Sequence, residues 1–127
     1  VINFILDTTI LIDLLRQSPI ALQWSTTVKM SHGAITPIAW METVDGARDK
    51  TERAQILIFL RQFRLKHSTQ MDNQWAMLQF SHFRLSHGVE FTDMMIASVA
   101  ARLQVPLYTL NLKHYAPLPG INEFRPY

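Results

Sequence analysis

Three acidic residues stand where a free carboxylate is costly. Asp7 closes a run in which Ile2, Phe4, Ile5 and Leu6 are apolar, and it opens onto a second apolar pattern at Ile10, Leu11, Leu14 and Leu15. Glu42 is flanked by Trp40 and Met41, and Asp93 directly precedes Met94, Met95 and Ile96. A carboxylate at the edge of a core must be paired, hydrogen-bonded or bound to a cation, or its pKa rises. If the three converge, they form an oxygen-rich site without sulfur, because the chain has no cysteine. Such donors select Mg2+ or Mn2+ over zinc or copper. A cation held this way lowers the pKa of bound water and directs it at a phosphate.

Each acid also has an ordinary explanation. Asp7 can cap the helix that follows it, with Thr8 and Thr9 serving the same end. Asp93 at a helix start is favoured by the positive end of the helix dipole. Asp45 shares a helix face with Glu42, and both Asp45 and Asp49 are read as solvated. The five histidines, His32, His67, His82, His87 and His114, lack zinc-type spacing and are read as structural or solvent-facing.

Ile2 to Leu6 is rich in strand formers and stops at Asp7. The next helix presents Ile10, Leu11, Leu14 and Leu15 on one face and ends before Ser18-Pro19. The pattern predicts a second helix from about Pro19 to Lys29, a strand over His32 to Thr36, and a helix opened by Pro37. A further helix begins at Thr51 and Glu52, carries Ile56, Phe59, Leu60 and Phe63 at helical spacing, and ends near Arg64. Leu65 to Thr69 reads as a short strand. A long helix then carries Met71, Trp75, Leu78, His82 and Leu85 down one side to Gly88, a natural C-terminal stop. Trp75 and Phe80 are assigned to its core stripe and not to base stacking. Thr92 is expected to cap a helix from Asp93 to Leu103, with a strand over Pro106 to Leu110. Strands alternating with helices imply an α/β fold with a mostly parallel sheet covered on both faces. Ligands of such sheets sit at the carboxyl ends of the strands, which directs attention to Asp7, Thr109 and Asn111.

The 127 residues, 48% of them hydrophobic, suit one domain spanning 1–127. No repeat or low-complexity tract divides it. With 12 Lys+Arg against 10 Asp+Glu the net charge is only +2, too little for a protein that wraps nucleic acid, so any RNA contact must be local. Arg48, Lys50, Arg53, Arg61, Arg64 and Lys66 concentrate mid-chain and are read as a solvated face. The absence of cysteine excludes a disulfide scaffold. The apolar start is broken by Asn3, Asp7 and Asp13 and has no basic leader, so the chain is read as soluble, unprocessed and cytoplasmic, without a membrane partner.

At the level of whole segments, the chain resembles a known family. Phe4-Ile5-Leu6-Asp7-Thr8-Thr9-Ile10-Leu11-Ile12-Asp13 resembles the opening of PIN-domain toxins of the VapC type. Thr36 to Ala47 resembles the segment bearing that family's glutamate, and Thr92 to Ala100 the segment bearing its third acid. Tyr108-Thr109-Leu110-Asn111-Leu112-Lys113-His114-Tyr115 through Leu118-Pro119-Gly120 resembles its C-terminal strand and loop. Each motif is weakly specific, and four in order along the chain are much more so. The resemblance implies a PIN-like, Rossmann-like three-layer sandwich and a metal-dependent endoribonuclease acting as the toxin of a toxin-antitoxin pair. Asp7, Glu42 and Asp93 are then both the catalytic and the Mg2+ or Mn2+ site, with Thr8 and Thr109 as supporting polar groups. Many relatives carry a fourth aspartate where this chain has Asn111 or His114. Neither is acidic, which leaves either as the fourth contact. An RNA substrate, a cognate antitoxin and a homodimer are implied as well.

Two other functions compete. A haloacid-dehalogenase-like phosphatase also begins with an apolar strand and an aspartate, but it needs a second aspartate two residues on, where this chain has Thr9. A degenerate PIN module that binds RNA or protein without cutting is suggested by the missing fourth acid.

Overall fold

The computed structural model describes Val1–Tyr127 throughout. Five short strands form one sheet, β1 (Phe4–Leu6), β2 (Gly33–Ile35), β3 (Arg64–Leu65), β4 (Leu107–Tyr108) and β5 (Glu123–Phe124). Their order is β3-β2-β1-β4-β5, and every pairing is parallel. Seven helices flank it: α1 (Thr8–Leu15), α2 (Pro19–Ser25), α3 (Pro37–Asp45), α4 (Lys50–Leu60), α5 (Gln70–His87), α6 (Phe91–Leu103) and α7 (Leu112–Tyr115). The expected mostly parallel sheet is entirely parallel.

Parallel strands need helical crossovers, and those crossovers cover the sheet, so its central strands must be apolar on both faces. All three residues of β1 and of β2 are buried. Ile5, Leu6, Ile10, Leu11, Ile35, Met94, Ile96, Val99 and Leu107 are fully buried in one core cluster, each contributing about 1.5–3 kcal/mol of burial free energy. Gly33 is required at the start of β2, because a Cβ there would run into the ring of Phe4.

The chain order reverses beside β1, with β2 and β3 on one side and β4 and β5 on the other. That reversal opens a crevice at the carboxyl ends of β1 and β4, the switch point where open α/β sheets bind ligands. Asp7 follows β1 and Thr109 follows β4. The Asp7 amide donates to the Tyr108 carbonyl at 2.9 Å, which ties the two strand ends together.

Several boundaries differ from the sequence reading. The second helix stops at Ser25 and not near Lys29, followed by turns and a single 3₁₀ turn at Met30–His32. α4 begins one residue earlier than expected because Asp49, read as solvated, caps it by accepting from the Glu52 amide at 2.8 Å, and α4 ends at Leu60. Glu90 and not Thr92 precedes α6, which starts at Phe91. β5 and α7 were not anticipated.

The long helix α5 is the largest departure. Trp75 and Phe80 are half-buried and pack on the core as expected, but Met71, Leu78 and Leu85 of the same stripe are 77%, 65% and 100% exposed. The face turned inward carries Asp72, Ala76 and Gln79. Asp72 completes a capping box with Thr69 and pairs with Arg102 at 2.9 Å, fastening α5 to α6. A satisfied polar pair holds the inward face one position round the helix from the stripe that periodicity assigned to the core. No helix of the chain is long and apolar enough to cross a membrane.

Candidate functional site

Asp7, Glu42 and Asp93 come from three separate elements, and the fold brings them to one cleft of about 260 Å3. Its lining is Asp7, Thr8, Thr9, Ile12, Glu42, Glu90, Thr92, Asp93, Asn111 and His114. Four of these are carboxylates and none is a lysine or arginine. Thr8, Asn111 and His114, all singled out from sequence, are here. Thr109 lies directly beneath, fully buried.

Asp7 is only 2% exposed, and its two oxygens accept four hydrogen bonds. Oδ1 accepts from the Thr8 amide at 2.8 Å and the Tyr115 hydroxyl at 3.1 Å. Oδ2 accepts from the hydroxyls of Thr109 at 2.7 Å and Thr9 at 3.1 Å. The capping role and the placement in the cleft therefore coexist: the same backbone that lets Asp7 begin α1 points its carboxylate into the crevice. Thr109 and Thr9 are held in turn, since their oxygens accept the amides of Asn111 at 2.9 Å and Leu110 at 3.1 Å.

Glu42 projects from α3 at the open lip. Its Oε1 accepts from Thr8 Oγ1 at 2.8 Å. Loss of solvent around the carboxyl raises its pKa, the Thr8 hydrogen bond opposes the rise, and the charges of Asp7 and Asp93 add to it. Asp93, in the first turn of α6, is 9% exposed. Burial raises its pKa first and the Asp7 charge second, against the lowering effect of His114 and Tyr115. His114 Nδ1 stands 2.7 Å from Asp93 Oδ2. With Asp93 ionised, Nδ1 carries the proton and Nε2 is left as the other ring nitrogen. The Tyr115 hydroxyl is 3.2 Å from Asp93 Oδ1. Burial, followed by the two aspartate charges, pushes the Tyr115 hydroxyl well above the usual tyrosine range.

Sequence reasoning missed four of these participants. Glu90 adds a carboxylate to the cleft and also stands 3.6 Å from Arg84. Thr9 and Thr92, which also line the cleft, were read only as caps. Tyr115 was seen only as part of a motif. Its position next to His114, where relatives carry a fourth acid by the resemblance, was the available signal.

The cleft fits a hard dication by charge and donor type. Oxygen ligands dominate, several carboxylates repel, and no lysine or arginine lines the cleft, Arg84 meeting only Glu90 from outside it. The side chains are engaged with protein donors, however, and no three of the His, Asp and Glu groups are arranged to grip one ion at once.

The PIN domain family model matches residues 4–116. The chain belongs to the PIN domain family. Its fold recurs in solved structures. A chain of a toxin-antitoxin complex from Klebsiella pneumoniae is 26% identical with a TM-score of 0.79, the match covering 98% of both chains. A chain of the DNA-bound VapBC of Salmonella typhimurium is 22% identical with a TM-score of 0.81 over the full length of both. One from VapBC-1 of nontypeable Haemophilus influenzae is 16% identical, TM-score 0.78, over 98% of each. No curated protein sequence matches the chain. In this PIN domain, Asp7 follows the central strand and Asp93 opens the helix facing it, which is how the acids expected from sequence share one crevice.

Proposed function

We propose that this PIN domain is a Mg2+- or Mn2+-dependent endoribonuclease of the VapC type, the toxin of a toxin-antitoxin pair acting in the cytoplasm. The observation that carries the reading is the cleft itself, with Asp7, Glu42, Glu90 and Asp93 and no lysine or arginine in its lining. The likeness to the Klebsiella pneumoniae toxin-antitoxin complex and to the Salmonella typhimurium VapBC complex supports the toxin role and a protein antitoxin as partner.

Asp7, Glu42 and Asp93 would supply the carboxylates for the cation, with Asn111 or His114 as a further contact and waters completing the shell, although the three do not all reach one ion in their present arrangement. When bound, the cation supplies Lewis acidity and a water of lowered pKa. The chain's own part is orientation. Thr9, Thr109, Tyr115 and the Thr8 amide fix both oxygens of Asp7, Thr8 fixes Glu42, and His114 fixes Asp93. The alternative chemistry, attack by the RNA's own 2′-hydroxyl, needs two positioned acid-base groups of the histidine type, and His114 is the only histidine in the cleft.

Cleavage is therefore expected to leave a 5′-phosphate and a free 3′-hydroxyl, to stop in EDTA, and to be lost in Asp7→Asn. Mass spectrometry of the fragments tests this. A 2′,3′-cyclic phosphate formed equally well in EDTA refutes the metal mechanism. A protein that binds RNA, yields no fragments at saturating Mg2+ or Mn2+ and responds to neither ion is a binding module instead.

A further inference from the structure

Tyr115 is fully buried on α7, and its hydroxyl lies between two carboxylates, 3.1 Å from Asp7 Oδ1 and 3.2 Å from Asp93 Oδ1. The opposite oxygens of these acids are turned to other donors, Thr9 and Thr109 for Asp7 and His114 for Asp93. The hydroxyl is therefore the single group that joins the two acids across the cleft. A phenol has one proton. It can donate to one of these oxygens at a time, while the other meets its lone pairs. As a compensator of two negative charges it is incomplete.

We propose that Tyr115 is a positioning residue that stands in for a cation between Asp7 and Asp93, and so sets how tightly the cleft takes Mg2+ or Mn2+. The proposal rests on the metal-site reading above. In the metal-free protein the hydroxyl holds the two carboxylates facing each other and weakens their repulsion. A bound cation takes over that task, so the hydroxyl stabilises the metal-free form more than the loaded one. Whatever stabilises only the metal-free form weakens apparent metal affinity by the same factor.

Tyr115→Phe removes the bridge and keeps the ring. The full chain is titrated with Mn2+ alone by calorimetry and melted in EDTA and in saturating Mn2+, beside Tyr127→Phe. Tyr127 also donates to a carboxylate, Asp13 at 2.9 Å, but it does not line the acid cleft. Tyr115→Phe is expected to melt several degrees lower in EDTA, to bind Mn2+ about tenfold more tightly, the factor a charge-assisted hydrogen bond supports, and to close the gap to wild type once Mn2+ is saturating. Tyr127→Phe should lose stability equally with and without Mn2+.

Affinity unchanged or weakened in Tyr115→Phe, or a melting gap that persists at saturating Mn2+, overturns the proposal and reduces Tyr115 to a packing residue. If wild type itself takes up no Mn2+, the metal-site reading fails and the proposal with it. The wild-type protein offers a second measurement that does not depend on the variant folding. Saturating Mg2+ should change the tyrosine absorbance band as the hydroxyl loses a carboxylate acceptor, in wild type and in Tyr127→Phe alike, and a flat difference spectrum refutes the idea.

Discussion

Asp93→Asn should make the metal-free protein more stable while abolishing its activity. The Tyr115 hydroxyl touches Asp7 Oδ1 at 3.1 Å and Asp93 Oδ1 at 3.2 Å, so those oxygens are separated by no more than the two lengths together, roughly 6 Å. At an effective dielectric constant of about 20, two unit charges at that separation repel by about 2.8 kcal/mol. The Tyr115 and His114 donors offset part of this, leaving a net gain of about 1–2 kcal/mol on neutralisation. Asparagine has nearly the same volume and can still accept from Tyr115. For a domain of this size the gain corresponds to about 3–10 °C in Tm.

The pH dependence gives the sharper check. Asp93 has a folded-state pKa raised above 3.8, chiefly by burial and then by the charge of Asp7. Between 3.8 and that raised value the folded chain binds more protons than the unfolded one, so wild-type stability from this group declines as pH rises through the interval. The penalty is complete above the folded pKa and absent below 3.8. Asparagine lacks it, so the advantage of the variant should be full near neutrality and vanish on acidification toward pH 4. Glu42, shifted in the same direction, is present in both proteins. Thermal melts in EDTA across this range measure the gap. A variant less stable than wild type at neutral pH, or an advantage that does not shrink with acid, refutes the reasoning.

Thr109→Val keeps the shape of a fully buried side chain but removes the 2.7 Å hydrogen bond to Asp7 and the acceptor of the Asn111 amide. Urea unfolding should show a loss of about 2–3 kcal/mol, and a change within about 0.5 kcal/mol, the range of ordinary surface substitutions, contradicts the role given to Thr109. His114→Asp places a carboxylate where Asp93 now meets an imidazole, and calorimetry should show tighter Mg2+ binding because hard cations prefer carboxylate oxygen; unchanged affinity makes Asn111 the better fourth contact. Gly33→Ala forces a Cβ into the Phe4 ring on the neighbouring strand and should destabilise by about 2 kcal/mol or more in the same unfolding assay.

What the sequence offered by itself was a set of candidate acids and the kind of frame that carries them. Asp7 was legible because an apolar strand stopped at a charge, and Glu42 because it sat among Trp40 and Met41. The parallel sheet was legible because strands alternate with helices along the chain, the order that crossovers between parallel strands require. Periodicity could place Met71, Leu78 and Leu85 on one side of α5, but not say which side is covered. That was decided by the Asp72–Arg102 pair, whose partners lie 30 positions apart. β5 has two residues, too few to show a pattern, and exists because β4 offers it an edge. The convergence of Asp7, Glu42 and Asp93, the arrival of Glu90 at their cleft and the Tyr115 bridge were likewise decided by tertiary structure. Sequence spacing records local geometry along one helix or strand, whereas contacts such as Tyr115 to Asp7, 108 positions apart, form only when the sheet order brings the ends of β1 and β4 together with the first turns of α6 and α7.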